Sequence, residues 1–188
     1  MGRRAGLLAR SRRGSGVGEE FHVFRTVADF EQTWANERES TLKVMRALTD
    51  VSLAQMVAPG GRTLGRIAWH IVQTLGEMGR HAGLSVEGAD ENTPQPDTAD
   101  AIAKAYQTGA DALARTVKAT WTDADLPVEI EMYGQKWTRG VALSGLVAHE
   151  VHHRGQMTVL MRQAGLRVPG VYGPAKEEWA AYGMTEQG

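Results

Sequence analysis

HEVHHRGQ, residues 149–156, places three histidines and one carboxylate within five positions. Read as H-E-x-x-H, it uses His149, Glu150 and His152, the pattern of a zinc peptidase, whose active-site helix lies beside a substantial sheet. Read as H-x-x-x-H, it uses His149 and His153, one helical turn apart, and suits an all-helical protein. A helix advances about 100° per residue, so His153 lies about 40° round from His149. Ala142, Leu146, Gln156, Met157, Leu160 and Ala164 share that arc, so the 149/153 pair is expected inside the core-facing stripe. His152 falls about 60° to the other side and Glu150 about 100° away. The stripe therefore favours His149 with His153.

The flanking sequence is helical. Residues 139–164 form one long helix around the quoted stretch. Before it, VEIEMYGQKWT alternates, with Val128, Ile130 and Met132 on one side and Glu129 and Glu131 on the other, and YGQ turns the chain back toward Trp137. That is a short hairpin. Upstream, Phe30, Trp34, Leu42, Met45 and Leu48 mark a helix over about 28–48. Leu64, Ile67, Ile71, Leu75 and Met78 mark a second over about 63–81, which Thr63 can cap. An alanine-rich third helix spans about 99–120, capped by Asp97 or Thr98 and preceded by the polar loop GADENTPQPDT. AKEEWAAYG makes a last short helix. The expected architecture is all-α: a four-helix bundle with one crossover connection and a small β-hairpin before the last long helix.

Two histidines at the core are costly unless hydrogen-bonded or bound to an ion. One turn apart, their imidazoles project to the same place and can share one cation. The second helix offers a third ligand in His70, on a face with Ile67, Thr74, Glu77 and Met78. A buried structural histidine is the alternative reading for each ring. His81 lies three turns further, roughly 16 Å along the helix, too far to share that ion. Gln156 faces the same side and is a candidate to bond a ligand or a ligating histidine. Glu77 can line the mouth of a pocket. Arg154, about 140° round from His149, suits an inter-helix ion pair, with a substrate contact as the less favoured role.

The chain has 188 residues, 42% hydrophobic and 23% charged, enough for one domain with a sizeable core. A net charge of −1 gives no electrostatic case for nucleic acid. There is no cysteine, so disulfides and thiolate metal ligands are excluded and any metal must take His, Asp or Glu. No apolar run approaches the roughly 18 residues of a membrane span, and a cytoplasmic protein with no membrane partner is expected. Residues 1–20 carry five arginines in their first thirteen positions, then Gly and Ser. They are expected to be a disordered basic arm or start extension, outside a helical domain at 21–188.

TLGRIAWHIVQTLGEM at 63–78, LVAHEVHHRGQMTVLMRQAGL at 146–166 and VPGVYGPAKEEWAAYG at 168–183 together resemble the DinB-like family of helical bundles, over roughly 24–183. The family's histidine in the second helix and its H-x-x-x-H-R-G-Q string match His70, His149, His153, Arg154, Gly155 and Gln156. The resemblance implies a divalent ion, most often zinc or nickel, held by His70, His149 and His153, and a homodimer. It also implies a thiol S-transferase or thiol-dependent isomerase using a low-molecular-weight thiol against an electrophile. Three neutral imidazoles leave an open position on the ion, and with no cysteine the thiol must come from outside the chain. The rival functions are a non-catalytic metal-stabilised binding or stress-response module, and a zinc peptidase through H-E-x-x-H.

Overall fold

The computed structural model describes residues 23–185; the basic arm at 1–20 lies outside them. Four long helices dominate: α1 (Val27–Arg46), α2 (Leu64–His81), α3 (Ala99–Thr120) and α4 (Arg139–Gln163). β1 (Glu129–Met132) and β2 (Gln135–Thr138) form an antiparallel hairpin between α3 and α4. Three short 3-10 turns, Val51–Ala54, Asp123–Asp125 and Lys176–Tyr182, complete the order. The last of these stands where a short helix was expected.

Each long helix starts on a threonine whose hydroxyl accepts a first-turn amide. Thr26 takes Asp29 N at 3.0 Å, Thr63 takes Arg66 N at 3.1 Å, Thr98 takes Ala101 N at 3.3 Å and Thr138 takes Val141 N at 3.2 Å. Such caps satisfy donors that have no partner inside the helix, each contributing about 1 kcal/mol. The stripes read from periodicity are the core: Phe30, Trp34, Leu42, Met45 and Leu48 of the first helical segment are buried, as are Leu64, Ile67, Ile71, Leu75 and Met78 of α2.

Helix direction follows from cross-contacts. Glu31 meets Lys118 and Arg46 meets Gln107, so α1 and α3 are antiparallel. His70 meets His149 and His153, and Met78 lies near Gly145, so α2 and α4 are antiparallel. Leu75 packs on Gly109 while Met78 and Gly79 share a small cavity with Leu113, so α2 and α3 are parallel. The segment joining those two must therefore return along the bundle, and it does so against α2. Val86 lies on Gly79, Ala89 O on Gly76, and Trp69 Nε1 donates to Thr93 O at 2.9 Å. A Cβ on Gly76 would lie 2.6 Å from the Ala89 carbonyl oxygen, so that approach requires glycine. Ala99 N then donates to Asp50 Oδ1 at 2.8 Å, which seats the start of α3 beside the end of α1. This is the one crossover connection.

The hairpin turns through Tyr133 and Gly134, both left-handed at φ 52° and 75°. Positive φ at both central residues gives a twist that matches the strands. The cost at Tyr133 is offset by its hydroxyl donating to Glu77 Oε1 at 3.2 Å and its ring lying 5.2 Å from that of His81.

α4 differs from its expected orientation in one respect. It packs on both α1 and α2, so its buried arc is wide and takes in Glu150, Arg154 and Met161 beside Met157 and Leu160. His149 and His153 stand at one rim of that arc, rather than in the middle of a single stripe.

Candidate metal centre

The antiparallel crossing of α2 and α4 brings three rings together. His149 Nε2 lies 3.1 Å from His70 Nε2 and 3.1 Å from His153 Nε2. One nitrogen from each ring falls within 4.8 Å of the others, a group that can hold a metal ion. With bonds of about 2.05 Å, a tetrahedral ion sets its nitrogens about 3.3 Å apart, close to the two separations measured from His149.

Hydrogen bonding alone does not satisfy this arrangement. His153 Nδ1 donates to Gln156 Oε1 at 2.8 Å, which leaves its Nε2 as a lone pair facing His149. A proton on His149 Nε2 reaches only one of its two neighbours. A proton on His149 Nδ1 is buried with no acceptor, and the lone pairs then face each other. A cation among the three nitrogens removes that conflict, so the donor set fits a divalent ion.

All three rings are held neutral. Burial first, then the positive charges around them, lowers His70 and His149 to about 4, and burial also lowers His153. Arg62 contributes to the lowering at every ring. A depressed pKa means protons compete less for the ligand nitrogens. Metal content of the zinc-loaded protein is therefore expected to stay flat from pH 8 to about 5.5, below the usual 6.5 of histidine, and to fall only toward 4. Elemental analysis after dialysis across that range checks it; loss of half the metal by pH 6.5 would contradict the neutral-ring geometry.

The other candidates are placed differently. Gln156 bridges: its Oε1 accepts from His153 and its Nε2 donates to His152 Nε2 at 2.9 Å. His152 is thus an outward prop for Gln156, a role the sequence did not suggest. Glu77 holds the hairpin through Tyr133. Arg154 is removed from any ligand. It is 2% exposed, donates to Glu37 Oε2 at 2.6 Å, to Thr41 Oγ1 at 3.0 Å and to Tyr172 Oη at 2.6 Å, and faces α1.

Glu150 is 1% exposed and also faces away. Its Oε1 accepts from Thr41 at 2.7 Å and Tyr106 at 2.8 Å, on α1 and α3, and burial raises it to about 7. The peptidase reading fails on this point. Its glutamate must face the same water as its histidines, and here Glu150 and the rings lie on opposite sides of the α4 arc. Sequence reasoning missed this buried carboxylate because Glu in a helix normally marks solvent.

A family model described as DinB family matches residues 24–188. The uncharacterized protein YrdA of Bacillus subtilis strain 168 is 44% identical over 162 residues, covering 86% of this chain and 97% of its own length. A crystal structure of a DinB-like protein from Bacillus cereus ATCC 10987 superposes with a TM-score of 0.77 at 45% identity, over 79% of this chain and 99% of that one. A DinB-like protein of Bacillus subtilis, YjoA, shares the fold at a TM-score of 0.61 and 19% identity, over 76% and 96% of the two chains.

Proposed function

We propose, from the premise that the chain belongs to the DinB family, that it is a metal-dependent enzyme activating a small thiol for transfer to an electrophile. The metal is zinc or nickel, its ligands are His70, His149 and His153, and the enzyme works in the cytoplasm as a homodimer. The observation that supports this best is the convergence of three nitrogens, His149 Nε2 standing 3.1 Å from both of the others, on rings whose pKa burial lowers. Among the described residues that group contains no carboxylate and no fourth histidine, as a centre that keeps a position open for substrate requires.

A divalent ion held there would supply Lewis acidity, lowering the pKa of a thiol so that the nucleophile is available near neutral pH. The chain's own residues provide the setting. His153 is kept in one tautomer by Gln156. The rings of His70 and His149 are half-buried and that of His153 is buried. No cysteine exists to serve as an internal nucleophile, so the thiol enters as a co-substrate.

The test is an S-transfer assay with bacillithiol, mycothiol, glutathione and coenzyme A against a chloro-aromatic acceptor, with metal-free protein as control. At least one thiol is expected to react faster than the control, with an apparent pKa well below the roughly 8.5 of a cysteine thiol. No rate above the control with any of the four would replace the transferase reading by a non-catalytic, metal-stabilised module.

A further inference from the structure

Beside the three histidines lies a cavity of about 420 Å³, lined by Val57, Gly61, Arg62, Ile67, Gln156, Val159 and Leu160. Its connection to the rings runs through Gln156 and the first turns of α2. Ile67 is three residues before His70 on α2, and Gln156 accepts from His153. The volume is that of a small-molecule site rather than a protein interface. The walls are apolar: Ile67 and Leu160 are buried at its floor, while Val57 at 68% and Val159 at 55% exposure form its rim. Such exposed aliphatics beside a cleft gain from covering by an apolar ligand.

The charge of the region is one-sided. Arg62 is exposed and forms no ion pair among the described residues, unlike Arg80 or Arg162, which pair with Glu91 and Glu177. The charges acting on the three rings come from Arg62, Arg66 and the histidines themselves, with no carboxylate among them. Glu150, the nearest acid in sequence, faces α1 and α3, and Glu77 is engaged by Tyr133. Three neutral ligands neutralise none of a divalent ion's charge. An ion, an unpaired guanidinium and an apolar wall together call for a ligand that is both anionic and greasy.

We infer that this cavity binds a small molecule with an apolar body and one carboxylate, the body against Val57, Ile67, Val159 and Leu160 and the carboxylate at Arg62. This substrate class rests on the reading of the adjacent histidines as a metal site, but Arg62 and the walls recognise the ligand without the ion. One substrate of the enzyme is accordingly an acid, and a neutral analogue of the same shape is a poor one.

Isothermal calorimetry with 4-phenylbutyrate and the neutral alcohol of the same carbon skeleton, 4-phenylbutan-1-ol, tests this on zinc-loaded and metal-free protein. On metal-free protein the acid is expected to bind about fivefold tighter than the alcohol, the usual strength of one partly exposed charge pair. Zinc should widen the preference beyond about tenfold. Arg62→Gln should bring the metal-free preference within about twofold while leaving the melting temperature unchanged, and Val159→Asp should weaken the acid more than the alcohol. Equal binding of acid and alcohol, binding of neither, or a preference indifferent to Arg62→Gln would each overturn the assignment. A preference that persists in a protein unable to take up zinc would uphold this cavity and remove the metal reading alone.

Discussion

His149→Ala is expected to lose zinc from about one ion per chain to background, with His70→Ala and His153→Ala close behind and His152→Ala nearly unaffected. His149 stands in the middle of the group, its Nε2 at 3.1 Å from both neighbours, so its removal leaves two nitrogens without the vertex that joins them. Removing a partner that merely orients a ligand weakens metal binding by roughly 10–100-fold. Removing a ligand must exceed that, and more than about a hundredfold is expected. Gln156→Leu belongs to the orienting class, since it deletes the acceptor of His153 Nδ1, and should fall within that 10–100-fold range. Zinc at a hundredfold excess over its dissociation constant stabilises a protein by about 2.7 kcal/mol. The parent should therefore melt higher with zinc than without, and His149→Ala should melt alike in both. Metal content by elemental analysis and paired melts are the measurements. Loss of zinc in His152→Ala with retention in His153→Ala would defeat the ligand set.

The two histidine pairs were separable in the sequence because helical periodicity is local. His149 and His153 share an arc with Leu146, Met157 and Leu160, and all three of these are buried. The stripes of α1 and α2 were legible for the same reason, and the polar loop before α3 was long enough to suggest a crossover. What escaped was pairwise and distant. Arg154 read as one half of an inter-helix ion pair and Glu150 as a residue beside the stripe, but neither could be given its partner, since Thr41 and Glu37 are more than a hundred positions away. A charge pattern along one helix carries no mark of a partner on another. Nor did the sequence show that α4 packs on α1 as well as α2, which turns the arc so that the histidines stand at its rim. The glycines at 76 and 79, which let the return segment lie against α2, carry no local mark of that approach. The pocket around Arg62 was likewise invisible, since its walls come from a loop, the start of α2 and the end of α4.

The buried pair of Arg154 and Glu37, whose second member the sequence could not name, carries the largest expected stability effect. Arg154 is 2% exposed in its side chain and Glu37 11%, with 2.6 Å between Nη2 and Oε2. The guanidinium also donates to the Glu37 carbonyl oxygen at 3.1 Å and lies 5.1 Å from the Tyr172 ring. Tyr172 in turn donates to Glu37 Oε2 at 2.8 Å, so one carboxylate accepts from two side chains. This set ties α1, α4 and the chain after α4 together. Arg154→Met fills most of the volume but leaves the Glu37 carboxylate buried without its cation. Breaking one side of a buried pair costs about 3–5 kcal/mol, because the desolvated charge remains. For a chain of this length each kcal/mol moves the melting temperature by about 2–4 °C, so a drop of about 6–20 °C is expected. The double variant Glu37→Leu/Arg154→Met removes both charges and should recover most of that loss, since a hydrophobic replacement for a whole buried pair is often neutral. Zinc content of Arg154→Met, measured well below its melting point, should equal the parent's, because none of its partners touches His70, His149 or His153. A drop under 2 °C would show the pair to be solvated, and a double variant no better than Arg154→Met would show that packing, rather than the stranded charge, sets the cost.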